Sequence, residues 1–156
     1  MNTAYDFAGN IKTDAKTIGS AAYATTYSYD YVGNQLSIVN PSLATTTFAY
    51  NSAGLVETVS WQASGATSTT AIVSDIDYAP TGDVTLQVNA NGTTQENTYD
   101  ASKLYRLTNR RLLAGTTTLQ AYLYDYDSVG NVTHTVLSAD SGGFNHNLQG
   151  LRIVDV

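Results

Sequence analysis

One short phrase recurs six times along this chain and limits what it can fold into. Tyr5-Asp6-Phe7-Ala8-Gly9-Asn10 returns as Tyr29-Asp30-Tyr31-Val32-Gly33-Asn34 and as Tyr126-Asp127-Ser128-Val129-Gly130-Asn131. Three looser copies lie between: Tyr50-Asn51-Ser52-Ala53-Gly54-Leu55, Tyr78-Ala79-Pro80-Thr81-Gly82-Asp83 and Tyr99-Asp100-Ala101-Ser102-Lys103-Leu104. The leading tyrosines are separated by 24, 21, 28, 21 and 27 residues. Self-similarity in this range marks an architecture of stacked units rather than one globular core. It also shifts the functional expectation, because such units build surfaces and containers.

The phrase has the chemistry of a tight turn. Asp suits the first position of a type I turn, where its carboxylate bonds backbone N–H groups two residues on. Gly suits the fourth position, where left-handed backbone costs it nothing. A type I turn closed by a left-handed Gly is one of the favoured ways to make a bulged hairpin. Asn10, Asn34 and Asn131 follow the Gly, and Asn also tolerates left-handed geometry. Each unit therefore reads as strand, Asp-x-x-Gly turn, strand and return turn. The return turns are read at Asn40-Pro41-Ser42, Ser64-Gly65, Asn91-Gly92, Ala114-Gly115 and Ser141-Gly142-Gly143.

Between the turns lie runs rich in Thr, Tyr, Val, Ile and Leu, residues that fit a pleated sheet. Several alternate with period 2: Val84, Leu86 and Val88 fall on one face, as do Tyr122, Tyr124 and Tyr126. No segment sustains apolar residues at helical spacing. The pattern predicts strands near 22–29, 35–40, 45–50, 55–63, 70–78, 84–90, 93–99, 104–113, 119–127 and 132–138. The expected fold is all-β: tandem antiparallel hairpins in a twisted, curled sheet of about ten to twelve strands. One face should be rich in Tyr and aliphatic residues, the other in Thr and Ser. Residues 1–140 are expected to hold the six repeats. Residues 141–156 read as a Gly-rich tail, with a terminal strand at Leu151–Val156.

Composition narrows the function. Only 13% of residues are charged and the net charge is −6. Nucleic-acid binding needs clustered Lys and Arg, which this chain lacks. Arg106, Arg110 and Arg111 are close in sequence, but they read as charges on a solvated strand edge, with Arg106 and Arg110 on one face. Without Cys there is no thiol nucleophile, disulfide or Cys zinc site. No apolar run approaches the roughly 18 residues of a membrane helix, so no membrane insertion is expected. Met1-Asn2-Thr3-Ala4 enters the first repeat without the basic and apolar stretches of a secretion signal. The expectation is a segment of a longer protein.

Six registered copies of the phrase, three of them strict Tyr-Asp-x-x-Gly-Asn, with Tyr99-Asp100 leading into Arg106-Leu107-Thr108, resemble the YD repeat, also called the Rhs repeat. The resemblance covers about residues 4–138. The family includes bacterial polymorphic toxins, insecticidal toxin complexes, wall-associated proteins and teneurins. Its repeats form a long β-strip that spirals into a hollow shell, which can enclose a toxic C-terminal domain. The resemblance implies a structural role without chemistry of its own, in a parent protein that is secreted or at the bacterial cell surface. Family shells use many more than six repeats, and bacterial members often carry an Asp-Pro-x-x-Gly segment tied to self-cleavage. Here the only prolines are Pro41 and Pro80. Encapsulation of a toxin polypeptide is therefore expected of the parent, with this segment supplying part of the wall.

The residues that carry this reading are structural: Tyr5, Asp6, Gly9 and Asn10; Tyr29, Asp30, Gly33 and Asn34; Tyr50, Asn51 and Gly54; Tyr78 and Gly82; Tyr99 and Asp100; Tyr126, Asp127, Gly130 and Asn131. No catalytic, cofactor or metal residues are expected. His134 reads as a strand residue and His146 as part of the tail. No Gly-x-Ser-x-Gly elbow supports a triad. The carboxylates Asp75 and Asp77, or Asp125 and Asp127, read as solvent-facing or turn-capping rather than a glycosidase pair. Each turn offers a single carboxylate, too few for calcium. The twelve tyrosines are expected to form cross-strand ladders, each pair contributing about 0.2–1 kcal/mol. Expected partners are a second copy, or the continuation of a longer YD-repeat chain. The alternative function is an extracellular adhesion module binding glycans or receptors through aromatic faces.

Overall fold

In the computed structural model, residues 2–138 are described. Twelve strands follow one another in chain order, each sheet neighbour also being the neighbour in sequence. They are β1 (Asn2–Tyr5), β2 (Ile11–Ile18), β3 (Ala21–Tyr29), β4 (Gln35–Val39), β5 (Thr45–Tyr50), β6 (Val56–Gln62), β7 (Thr70–Tyr78), β8 (Val84–Asn89), β9 (Thr93–Asp100), β10 (Arg106–Ala114), β11 (Thr117–Tyr126) and β12 (Val132–Ser138). One 3-10 turn, Ala101–Lys103, interrupts them. The chain divides into two compact units between Ser74 and Asp75, inside β7. The tail expected at 141–156, with His146, the turn at 141–143 and the strand at 151–156, lies outside the described residues.

In the first unit the register sorts side chains by chemistry. Paired residues of antiparallel strands share a face. Tyr27 lies opposite Ile38, Thr46 opposite Trp61, Phe48 opposite Val59 and Tyr50 opposite Val56. The other face pairs Ala15 with Ala24, Thr13 with Thr26, Ser28 with Ser37 and Thr47 with Ser60. The Ser28 and Ser37 hydroxyls bond each other across the strands at 2.6 Å. Period 2 in the sequence thus becomes an aromatic and aliphatic face backed by a small-polar one.

Within each unit, no second layer of described residues covers either face. Among the described residues only Ala44 and Leu113 are buried apolar side chains, and no polar side chain is buried. Ordinary domains bury one sheet face against a second layer. Here burial comes from neighbours within the sheet, which leaves most side chains half-exposed.

β1 and β2 fit the expected strand–turn–strand plan of the first repeat, although the strand ranges read from the sequence began only at residue 22. Ile11–Ile18 mixes Lys12, Asp14 and Lys16 with few apolar residues, so its own pattern does not announce a strand. Pairing with β1 and β3 specifies it instead. The expected strand at 104–113 begins later, at Arg106, because Leu104 and Tyr105 have φ of 60° and 56°. Two successive left-handed residues end extended backbone. The three arginines do not sit on an edge: β10 pairs with both β9 and β11. A register shift between Leu107 and Asn109 also puts Arg106 out of phase with Arg110.

Candidate functional site

The repeated phrases become the turns β1–β2, β3–β4, β5–β6, β7–β8, β9–β10 and β11–β12. In the first, Gly9 N–H donates to Asp6 C=O at 3.2 Å and Asp6 N–H to Asn10 C=O at 2.9 Å. Asp6 Oδ1 accepts from Ala8 N–H at 2.9 Å and Asn10 N–H at 2.8 Å. Asp6 Oδ2 accepts from Asn10 Nδ2 at 3.0 Å. One carboxylate thereby satisfies backbone donors that the tight turn leaves unpaired. Gly9 has φ of 90°, the region where a Cβ is penalised.

The other strict copies repeat this geometry. Asp30 takes Val32 N–H, Asn34 N–H and Asn34 Nδ2 at 3.0, 2.8 and 2.9 Å. Asp127 takes Val129 N–H, Asn131 N–H and Asn131 Nδ2 at 3.0, 2.8 and 2.8 Å. The Asn after Gly is therefore a second-side lock on the carboxylate. It is not left-handed: the only non-Gly residues with positive φ are Leu43, Leu104 and Tyr105 among the described residues. These bonds hold the carboxyls of Asp6 and Asp127 below the ordinary value, with the Asn10 and Asn131 side chains contributing most. Burial pushes Asp30 upward, but the Asn34 side chain and the turn amides together outweigh it.

The looser copies keep part of the design. Asn51 accepts from Ala53 and Leu55 N–H, both at 3.0 Å. Ala79 keeps the backbone bonds, to Asp83 at 2.8 Å and from Gly82 at 2.9 Å, with no side-chain acceptor to support them. Asp100 caps Ser102 N–H at 2.9 Å, and its loop closes by Tyr105 N–H donating to Asp100 C=O at 2.9 Å. The expected return turn Asn40-Pro41-Ser42 belongs to the same class. Asn40 Oδ1 takes Ser42 and Ala44 N–H, both at 3.0 Å. Leu43 stands where Gly would, at φ 64°; a search for Gly misses this turn.

A bulge follows four of these turns at the same place. Tyr5, Tyr29, Tyr50 and Tyr126 pair with Ile11, Gln35, Val56 and Val132, whereas the preceding residues pair with Thr13, Ser37, Thr58 and His134. Lys12, Leu36, Glu57 and Thr133 are the extra residues, and such insertions strengthen local twist.

The tyrosines act through their hydroxyls. Tyr50 Oη donates to Gln35 C=O at 2.8 Å, Tyr99 to Val84 C=O at 3.0 Å and Tyr126 to Leu107 C=O at 2.7 Å. Each ties the end of one repeat's strand to the start of the strand that follows the preceding repeat's turn. Burial raises the Tyr99 hydroxyl, helped by the nearby Asp83 charge, and burial alone raises Tyr78. The expected cross-strand ring ladder is absent among the described residues: the one ring pair, Tyr122 and Tyr124, lies along a single strand at 6.2 Å. Ring edges end at carbonyls, so the hydroxyl, not the ring face, makes the contact. Arg106 adds a further tie. It lies over the Tyr126 ring at 5.7 Å and donates to Asp127 C=O at 3.2 Å.

The candidate acid and base residues can be placed among the described residues. His134 lies opposite Asp125 with Nδ1 3.3 Å from Oδ2, both side chains exposed. Among the described residues no group of three His, Asp or Glu could hold a metal. No helix of the described residues is long and apolar enough to cross a membrane.

No family model and no curated protein matches the chain. Solved structures do. A crystal structure of TcdB2-TccC3-Cdc42 covers 87% of the chain at 19% identity, with a TM-score of 0.78. A crystal structure of TcdB2-TccC3 covers 87% at 19% identity, with a TM-score of 0.79. The Tc holotoxin pore of Photorhabdus luminescens also covers 87% at 19% identity, with a TM-score of 0.78. The chain spans only 7%, 8% and 7% of those three chains. The likeness is one of fold: an all-β antiparallel sheet that superposes on a short stretch of these toxin-complex chains.

Proposed function

We propose that this chain is a structural wall segment of a YD/Rhs-type shell or self-assembling scaffold, without catalytic activity. The observation that carries the reading is the single uncovered layer, with Ala44 and Leu113 as its buried apolar residues among those described. An uncovered sheet fits a wall better than a free-standing domain. The likeness to short stretches of much longer toxin-complex chains supports a role as part of a larger chain or assembly. In that parent the shell encloses a toxin polypeptide, and the protein acts outside the cell or at its surface. The repeat-turn residues from Tyr5 to Asn131 set the geometry of the wall. Light scattering after size exclusion, across concentrations, tests this. Species heavier than 16.6 kDa that grow with concentration support edge pairing between chains. A 16.6 kDa monomer at every concentration refutes the self-assembling scaffold.

A second reading, glycan adhesion, is favoured by one feature of the Asp75-side unit. There the tyrosine-bearing face also carries Gln87, Gln95, Asn97, Arg110 and Gln120, set together by the β8–β9–β10–β11 register.

A further inference from the structure

The strands β9, β10 and β11 build a shallow depression of about 220 Å³, lined by Gln95, Arg110, Leu112, Gln120 and Tyr122. Register brings these residues together: Gln95 lies opposite Leu112, Leu112 opposite Gln120, and Arg110 opposite Tyr122. None belongs to a repeat turn, and none is used by the tyrosine ties described above.

The chemistry of the depression is that of an incomplete ion pair. Arg110 is exposed, and its Nη2 donates to Gln95 Oε1 at 2.8 Å. That bond fixes the guanidinium but leaves its charge uncompensated. The ion pairs among the described residues are Lys103–Asp100, Arg111–Glu96 and His134–Asp125, so no carboxylate pairs with Arg110. A guanidinium fork matches a carboxylate with two parallel hydrogen bonds. Beside it, Gln120 Nε2 donates to the Tyr122 hydroxyl at 2.8 Å. A hydroxyl that accepts one bond keeps its own proton to give.

The rest of the surface suits a sugar ring. Tyr122, which lines the depression, is stacked with Tyr124 along β11, with ring planes 18° apart and centroids at 6.2 Å, so aromatic surface borders the depression. On the same face Gln87 Nε2 donates to Asn89 Oδ1 at 2.8 Å, and Asn89 Nδ2 to Thr93 Oγ1 at 3.0 Å. Amides offer a donor and an acceptor side by side, as vicinal hydroxyls require. The depression is shallow and Leu112 is its one aliphatic side chain, so it lacks the apolar hole that anchors a peptide side chain.

We propose that this depression binds a carboxylate-bearing sugar, a uronic acid unit of an acidic glycan. The carboxylate takes the Arg110 guanidinium and the Tyr122 hydroxyl, while the ring lies against Tyr122 and Tyr124. The inference rests on the adhesion reading above and names its ligand class. The net charge of −6 repels polyanions in general, so attraction to an acidic sugar has to be local.

The test is calorimetric titration of the 156-residue chain with trigalacturonate, with neutral maltotriose and with a sulfated disaccharide from heparin. Trigalacturonate should bind saturably, Arg110→Gln should weaken it at least roughly tenfold, and Arg110→Lys should recover only part of the loss. Circular dichroism melts check that both variants fold. Tyr124→Ala offers an independent arm and should weaken binding without changing its salt dependence. Equal affinity for maltotriose, or trigalacturonate binding unchanged in R110Q, overturns the site while leaving the adhesion reading standing. Tighter Arg110-dependent binding of the sulfated sugar overturns the carboxylate assignment. No binding to any of the three overturns both the site and the adhesion reading, and leaves the wall reading untouched.

Discussion

Replacing Tyr50 by Phe removes one oxygen and leaves the ring, so it isolates the tie between repeats. In the native chain that hydroxyl donates to Gln35 C=O at 2.8 Å from a half-buried position. A neutral hydrogen bond of this kind contributes about 0.5–1.5 kcal/mol net. Gln35 is itself only half-buried, so water can reach its carbonyl, and the full penalty for a stranded acceptor does not apply. The expected loss is about 1 kcal/mol, which for a chain of this size lowers the melting temperature by roughly 2–4 °C. Tyr126→Phe, which loses a 2.7 Å bond to Leu107 C=O, should behave alike. The control is Tyr23→Phe, at an exposed strand position, where a surface change should stay within about 0.5 kcal/mol. Thermal and urea unfolding followed by circular dichroism read all three. If Tyr50→Phe and Tyr23→Phe melt together, the hydroxyl ties do not hold the repeats and the reasoning fails.

Three further outcomes follow from the turns. Leu43→Gly relieves a left-handed Leu at φ 64°, a strain of about 1–2 kcal/mol partly offset by glycine's larger unfolded-state entropy; urea midpoints should rise by about 0.5–1 kcal/mol equivalent, and a fall would show that the residue is not strained. Gly130→Ala puts a Cβ 2.7 Å from Arg106 Nη2 at φ +102°, whereas Gly9→Ala meets nothing within 4 Å at φ +90°; both should destabilise by about 1–3 kcal/mol, with G130A the worse, and equal losses would argue against a fixed Arg106. The carboxyls of Asp6, Asp30, Asp100 and Asp127 lie below the ordinary value, so their contribution is complete above the unfolded value near 3.9 and fades as pH falls through the folded values. Melting temperature should hold steady from pH 7 to about pH 5 and drop below pH 4. The combined Asn10→Ala, Asn34→Ala and Asn131→Ala variant brings the folded carboxyls nearer the unfolded value, so it should lose less stability than the native chain between about pH 5 and pH 2, and an unchanged acid loss would remove the Asn side chains from the account.

The sequence by itself determined the hairpin plan. Asp-x-x-Gly has few conformations open to it, so each strict copy announces a turn, and a turn fixes which strands are neighbours. Ten strands are legible this way, because alternation in segments such as Tyr122, Tyr124 and Tyr126 maps directly onto two faces. The roles of Asp6, Asp30 and Asp127 are local and could be read from spacing alone. Tertiary structure decided what depends on a neighbour. Ile11–Ile18 is a strand because β1 and β3 flank it. The turn at Asn40-Pro41-Ser42 is legible in the sequence, but its likeness to the Asp-x-x-Gly turns is not, since Leu43 at the left-handed position carries no sequence signal. The tyrosine hydroxyls reach carbonyls fifteen or nineteen residues away, a distance no period-2 pattern reports. Arg106 and Arg110 look alike in sequence, yet a register shift between Leu107 and Asn109 sends one onto Tyr126 and leaves the other unpaired beside Gln95 and Tyr122. Turn chemistry is set within a few residues of chain, whereas register and cross-strand pairing arise only when separate segments meet.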